Sequence, residues 1–585
     1  MYRFILFKND VRWVMATAFL FVASLSHAQS DNTVLSKPST ICNPLNLSYR
    51  FYLDSPSRRE AADPTMITFK GEYYLFASKS GGYWHSSNLI NWDFITTKDL
   101  PLEDYAPTVV VIGDTLYFTA CSVKPTLAIY KSGNPKAGKW QVANAAVPLG
   151  FIVDPCLFLD DDGRLYLYYG CSDVNPIYGI ELDRKSLNPI GKPKELFNCH
   201  FSLYGWERPG DYNEIIEHPW IEGSWMNKYK GKYYLQYASP GTQFKSYSDG
   251  VYVSDNPLGP FVIQGNNPYS SKPEGFIAGA GHGSTFMDKY GNYWHIATMT
   301  ISQKHMFERR LGLFPAFFDK DGMLSAYTGF GDFPYHIPSH KIADPKELFA
   351  NWMLLSYKKD IAVSSELPDH PGSFATDENI RTYWSAKTGN KGEWLSMDLQ
   401  QICTINALQL NFAENQTDVF GRSPSLNEQY VLQYSTDGKT WQILVDSSNA
   451  TSDLTHNYFE LKKPVTARYI KVINYHIPSG TFALSDLRVF GNAYSGTPGT
   501  IDDFKVDRSE KDRTKVKIVW KKNGDAIGYN IRYGSSPDKL YHNYQVLDTT
   551  SIEIRSLNAN EQYYFSIDAF DEKCVSTGKK VVMVK

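Results

Sequence analysis

One pattern recurs five times between residues 63 and 294, and it restricts the fold more than anything else in the chain. Each copy opens on a polar or acidic residue, runs into a short apolar strand, turns on Gly or Asp, and returns as an aromatic-rich strand. The copies are Asp63-Pro64-Thr65 to Gly71-Glu72-Tyr73-Tyr74-Leu75, Ala106-Pro107-Thr108 to Gly113-Asp114-Thr115-Leu116-Tyr117, and Asp154-Pro155-Cys156 to Asp162-Gly163-Arg164-Leu165-Tyr166. Glu222-Gly223-Ser224 to Gly231-Lys232-Tyr233-Tyr234 and His282-Gly283-Ser284 to Gly291-Asn292-Tyr293-Trp294 complete the set. Helical periodicity is absent and hairpin signals are frequent. Repeats of this size, each holding several strands, have the form of propeller blades, so an all-β, five-bladed β-propeller is expected.

That architecture bears on chemistry. The first strand of every blade lines the central axis, so residues at equivalent repeat positions converge there. Asp63, Asp154, Glu222 and His282 share one such position. A single Asp-Pro is usually a turn starter; four ionisable groups in register are expected to surround one funnel.

With 585 residues the chain exceeds one ordinary core, and two or more domains are expected. A formal net charge of -3 without a basic stripe argues against nucleic acid as a partner. The 13 Trp and 40 Tyr combine apolar rings with polar tips that suit sugar faces, although most of them are accounted for by sheet packing. Arg3, Lys8 and Arg12 precede an apolar run from Trp13 to Leu25 that ends in Ser26-His27-Ala28. Residues 1–28 therefore read as a cleaved signal peptide of a secreted, periplasmic or extracellular protein, the run being too short for a transmembrane span. The seven cysteines lack metal-ligand spacing, and no disulfide framework or zinc site is expected.

Over residues 45–340 these motifs, in their order, resemble glycoside hydrolase family 43. The match runs through Asp63-Pro64, Tyr105-Ala106-Pro107, Asp154-Pro155, Ile221-Glu222-Gly223-Ser224 and Gly281-His282-Gly283-Ser284 to Arg309-Arg310 and Asp319-Lys320-Asp321-Gly322. The resemblance implies an inverting glycosidase with Asp63 as general base, Glu222 as general acid and Asp154 tuning the acid. Glu214 and Glu217 lie just upstream as rivals to Glu222, but only Glu222 begins a blade-like strand pair. The resemblance also implies a calcium ion near the axis beside His282, no organic cofactor, and a substrate-contacting arginine at Arg309 or Arg310. Tyr83, Trp84, Tyr105 and Trp225 are candidates to line the sugar subsite. The expected partner is a plant-type polysaccharide or oligosaccharide losing terminal α-L-arabinofuranosyl or β-xylosyl units. The alternatives are a galactan-cleaving or endo-acting member of the family and a non-catalytic carbohydrate-binding propeller.

Beyond residue 355 the pattern changes. Thr382-Tyr383-Trp384-Ser385, Glu393-Trp394-Leu395, Gln433-Tyr434-Ser435-Thr436-Asp437-Gly438 and Ala467-Arg468-Tyr469-Ile470-Lys471-Val472 resemble a discoidin-like, factor five/eight C-terminal type β-sandwich over residues 355–492. After the linker Ser495-Gly496-Thr497-Pro498-Gly499, residues 500–585 resemble a fibronectin type III sandwich serving as a spacer or interaction module. Since every proposed catalytic residue precedes residue 345, a chain ending there is expected to keep its activity on small glycosides.

Overall fold

The computed structural model describes residues 39–101 and 104–585, and these pack as one body. The expected signal peptide, residues 1–28, lies outside the described residues. Five four-stranded antiparallel sheets follow one another along the chain, each with its strands in sequence order. They run from Thr65 to Thr96, Thr108 to Val147, Cys156 to Phe197, Glu222 to Ile263 and Ala278 to Ala326. The turns explain how such short strands pair: at Lys70-Gly71 and Lys230-Gly231 both central residues have positive φ (52° and 76°, 48° and 80°). A two-residue loop of that kind matches the right-handed twist of the strands it joins.

The sheets close on themselves. The first strand of each lies beside the first strand of the next, and Ala278–Met287 of the fifth returns to Thr65–Phe69 of the first. At the open edges of the inner strands, side-chain hydroxyls take over pairing that buried amides require. The Leu157 amide donates to Thr108 Oγ1 (3.0 Å), the Met66 amide to Ser284 Oγ (3.0 Å), and Thr65 Oγ1 donates to the Pro107 carbonyl (2.7 Å). Apolar side chains fill the wedges between sheets, as with Phe76, Tyr83, Phe118 and Trp140 between the first and second.

At the entrance to these inner strands the backbone turns left-handed at Asp63 (φ 52°), Ala106 (45°), Asp154 (50°) and His282 (41°), which are equivalent repeat positions. For a residue with a Cβ this conformation costs roughly 1–3 kcal/mol and persists only where the surroundings enforce it. In the fourth sheet the left-handed residue is Gly223 (φ 65°), one place beyond Glu222, where the register of the first strand pair also shifts.

Residues 353–493 form an eight-stranded antiparallel sheet dominated by the long strands Trp394–Phe412 and His456–His476, whose inner faces bury Trp384, Leu395, Met397, Leu410, Leu432 and Val472. Residues 504–584 form a three-stranded and a five-stranded sheet around Ile518, Trp520, Ile531, Phe565 and Ile567. Neither region is a loosely tethered appendage. Phe330 and Phe333, following the fifth sheet, share one buried cluster with Met353, Leu354, Phe490 and Phe570. Arg208 pairs with Asp512 (2.7 Å), Lys539 with Asp319 (2.9 Å), and the Gly205 amide donates to the Leu557 carbonyl (2.9 Å). The expectation of a spacer over residues 500–585 is corrected by these contacts, because a spacer would leave such faces solvated. Among the described residues, no helix is long and apolar enough to cross a membrane.

Candidate active site

Three of the four left-handed turns deliver ionisable groups to one place. The Nδ1 of His282 lies 3.2 Å from Asp63 Oδ1 and 3.7 Å from Asp154 Oδ2. The Gly223 amide donates to Asp154 Oδ2 (3.2 Å), which brings the fourth sheet's first strand and Glu222 against Asp154. Asp154, Glu222 and Cys171 offer oxygen and sulfur atoms that all lie within 4.8 Å of one another. Residues from the first, third, fourth and fifth sheets are thereby gathered around the axis, as the repeat register predicts.

The environments of the carboxyl groups differ. Burial pushes Asp63 up, but the Arg309 guanidinium, then His282 and the Ser78 hydroxyl, overcome it and hold the carboxyl below the usual range. Arg309 Nη1 stands 3.2 Å from Asp63 Oδ1, and Ser78 Oγ donates to Asp63 Oδ2 (2.5 Å). Asp154 moves the other way. Burial, reinforced by the charges of Glu222 and Asp63 against the opposing effect of His282, pushes it up to about 7. His282 is itself held above its ordinary value: burial pulls it down, and the carboxylates of Asp63, Asp154 and Glu222 more than compensate. Its backbone is pinned by Asp249, which accepts from the His282 amide (2.7 Å) and the Gly283 amide (3.0 Å). The site thus holds one carboxylate that stays ionised and one carboxyl that carries its proton toward neutrality.

Glu222 is gripped on both oxygens. Tyr247 donates its hydroxyl to Oε1, and the Cys171 thiol donates to Oε2 (3.1 Å). Cys121 does the same for Asp154, its thiol facing Oδ1 (3.5 Å) while its sulfur accepts from the Asp154 amide (3.2 Å). Burial, with the neighbouring carboxylates, raises both thiols well above their ordinary range, so they act as neutral donors. Spacing along the chain gives no hint of these cysteines, yet the repeat does. Ser78 and Cys121 occupy the same place after the second strand of their sheets, pairing with the Ala62 and Tyr105 carbonyls through their amides (2.9 Å each), and Cys171 stands one residue beyond that place. From there each one touches a group at the inner edge: Ser78 accepts from the Ala106 amide (2.7 Å), Cys121 reaches Asp154, and Cys171 reaches Glu222.

The two rivals to Glu222 are exposed, Glu214 and Glu217 lying on a surface turn. Arg309 and Arg310 are separated by strand alternation. Arg309 faces Asp63 and Glu60, while Arg310 turns the opposite way, donating from Nε to His456 Nε2 (2.9 Å) in the region after residue 353. The aromatic candidates divide as well. Tyr105 is half-buried, its hydroxyl 2.7 Å from that of Tyr52, and with Cys121, Lys79, Lys124 and Tyr130 it lines a cavity of about 530 Å³. Trp84 is a correction: its ring is fully buried among Leu75, Trp294 and Leu311, with Nε1 donating to Ser48 Oγ, so no ligand reaches it. Tyr83 is likewise enclosed, against Phe76 and Trp140. Trp225 is 8% exposed, shares a buried cluster with Cys156 and Tyr166 of the third sheet, and has its Nε1 engaged by the Thr285 carbonyl of the fifth (2.9 Å), so ring and polar tip are both taken up between sheets.

The cation expected beside His282 meets a poor set of donors. Calcium takes six to eight oxygens, whereas the imidazole is turned onto two carboxylates as their charge partner. Among the described residues, the one cluster of three close ligating groups is Asp154, Cys171 and Glu222, which does not include His282.

Residues 56–324 match the family model for glycosyl hydrolases family 43, and residues 360–485 that for the F5/8 type C domain. Among similar proteins, a β-xylosidase of Xylanibacter ruminicola is 32% identical over 179 residues, covering 26% of this chain and 53% of that protein. A β-D-galactofuranosidase of Aspergillus niger is 28% identical over 275 residues (40% and 72% of the two chains). An arabinoxylan arabinofuranohydrolase of Paenibacillus polymyxa is 32% identical over 163 residues (26% and 24%). The chain thus spans about half the length of the first of these relatives. These matches find in the chain a domain of glycosyl hydrolases family 43 over residues 56–324 and an F5/8 type C domain over residues 360–485.

Proposed function

We propose that this chain is a secreted, inverting glycosidase that removes terminal α-L-arabinofuranosyl or β-xylosyl units from plant-type polysaccharide. In this reading the five closed sheets are the blades of a propeller, and the regions after residue 353 are a discoidin-like and a fibronectin type III-like β-sandwich. The observation that carries it is the division of the carboxyl groups. Asp63 is held ionised by Arg309 and His282, as a general base must be, and a carboxyl pushed up to about 7 sits beside Glu222.

Asp63 takes a proton from the attacking water while Glu222 delivers one to the departing oxygen, so that water rather than a carboxylate forms the new bond. Asp154, bonded to the Gly223 amide beside Glu222, is the group whose charge state tunes the acid. Tyr247 and Cys171 fix the orientation of the Glu222 carboxyl, and Tyr105, with Cys121, lines a neighbouring cavity whose walls include none of Asp63, Asp154 and Glu222. Terminal arabinofuranosyl or xylosyl specificity draws support from the names of two relatives. A galactofuranosyl specificity is favoured by the third. Hydrolysis of nitrophenyl arabinofuranoside, xyloside and galactofuranoside, with proton NMR of the fresh product before mutarotation, tests the reading. Release of one of these sugars with inverted configuration is expected, and retained configuration would make Asp63 a nucleophile instead.

A further inference from the structure

Arg309, a counter-ion of Asp63, and Glu60, which pairs with it, stand on two short segments that also form the contact with the F5/8 type C domain. Arg59–Glu60 is a two-residue strand, and Arg309 opens the strand Arg309–Phe318. Side chains alternate along a strand, so neighbours point to opposite faces. Glu60 and Arg309 face the site: Arg309 Nη2 is 2.6 Å from Glu60 Oε1, and Nη1 is 3.2 Å from Asp63 Oδ1. Arg59 and Arg310 face the other domain. The Arg59 guanidinium lies 3.0 Å from Glu414 Oε1, 3.1 Å from Glu428 Oε1 and 2.6 Å from Asp453 Oδ1, and it is 1% exposed. Arg310 donates to His456 (2.9 Å) and lies 3.9 Å from Glu414 Oε2.

The two segments are also tied to each other. Arg310 Nη1 donates to the Arg59 carbonyl (2.6 Å), and the Ala61 amide to the Arg309 carbonyl (3.3 Å). The segment leading into Arg59 is held by the same domain, where Phe51 bridges to Gly421 and Ser57 Oγ donates to the Val419 carbonyl (2.8 Å). Removing the acids on one face frees the backbone whose other face carries the counter-ion of Asp63.

We propose that the F5/8 type C domain is a working part of the active site. Glu414, with Glu428, Asp453 and His456, clamps Arg59 and Arg310 and thereby positions Glu60 and Arg309 against Asp63. Arg59, Arg310 and Glu414 are then positioning residues, acting on the reaction through Arg309. The inference rests on the reading of Asp63 as general base.

The test compares full-length Glu414→Gln with Arg381→Gln, which breaks a different contact between the same two regions, the 2.7 Å pair of Arg381 with Asp211. Both variants are expected to lower Tm. In Glu414→Gln kcat should also fall about 10- to 10²-fold, the cost of a small misplacement at a reacting group, with KM little changed. The acid limb of kcat/KM should rise by up to about one unit as the Arg309 charge recedes. Asp63 is faced as well by His282, Ser78, Asp154 and Tyr247, which neither substitution contacts, and by Glu60, which moves with Arg309 in this proposal. Arg381→Gln should keep kcat and the acid limb of the wild type. A Glu414→Gln enzyme with lowered Tm but unchanged kcat and acid limb would overturn the proposal. If Glu414→Gln does not fold, Asp453→Asn, at the most exposed of the three carboxylates, replaces it with the same expectations. Should the wild type hydrolyse no glycoside, the functional reading fails by itself. Crystal structures of the variants then decide, an opened Arg309–Asp63 contact supporting the clamp and an unchanged one refuting it.

Discussion

In the proposed mechanism Asp63, Asp154 and Glu222 are given three tasks by their neighbours. Asp63→Asn and Glu222→Gln should each lower kcat/KM by about 10² to 10⁴-fold, the usual contribution of a general base or acid, with an unchanged circular dichroism spectrum. The Glu222→Gln loss should shrink on nitrophenyl glycosides, whose leaving group needs little protonation. Asp154 yields a pH prediction. Its carboxyl is pushed up to about 7, so the wild-type pH profile of kcat/KM should carry an inflection near that value, where Asp154 changes charge beside Glu222. Asp154→Asn cannot ionise, and its pH–rate profile should lose that inflection. The thiol on Glu222 Oε2 adds a finer test. Cys171→Ser keeps a donor and should stay within a few-fold of wild type, whereas Cys171→Ala leaves that oxygen unpaired, a cost of about 1–3 kcal/mol, and should depress kcat measurably more.

The inner strand and its left-handed entrance are the elements that turn a repeat into a site. Gly223 shows how tightly this element is drawn: its φ is 65°, and a Cβ there would lie 2.7 Å from Cγ of His282. Gly223→Ala must therefore strain its own backbone and push the imidazole off Asp63 and Asp154. Activity should fall at least 10-fold at temperatures where the variant remains folded by near-UV circular dichroism, in keeping with the sensitivity of a reacting group to small displacement. At this scale much was legible. Short apolar strands, Gly turns and aromatic return strands recur with a period that fixes which residues share a position, and that placed Asp63, Asp154, Glu222 and His282 together. Trp84 and Trp225 were not legible, because period-two alternation separates one face of a sheet from the other. It does not tell a wedge between two sheets from the open axis.

For the whole molecule, the structure reverses the expectation that a chain ending near residue 345 is active. Such a chain exposes Phe330 and Phe333, whose cluster is completed by Phe490 and Phe570, and each large apolar side chain returned to water costs roughly 1.5–3 kcal/mol. It also strips the three carboxylates from Arg59, and breaking a buried ion cluster on one side costs about 3–5 kcal/mol. These losses are comparable with the whole stability of a typical domain. The truncated chain should therefore aggregate or lack a cooperative thermal transition by differential scanning calorimetry, and a soluble truncated enzyme with wild-type Tm would contradict the shared core.

The chain's own pattern determined the repeat, its number and the residues in register, because strand alternation and turn chemistry are local and leave their period in the sequence. It also marked the change of architecture beyond residue 355, where a different set of strand motifs begins. Only the tertiary structure decided between Arg309 and Arg310, which are adjacent in sequence and differ in the face they occupy. The same holds for the thiols on Asp154 and Glu222 and for the acids that grip Arg59. Glu414 and Arg59 are hundreds of residues apart, and their meeting depends on two folded surfaces fitting together. No local spacing records such a fit.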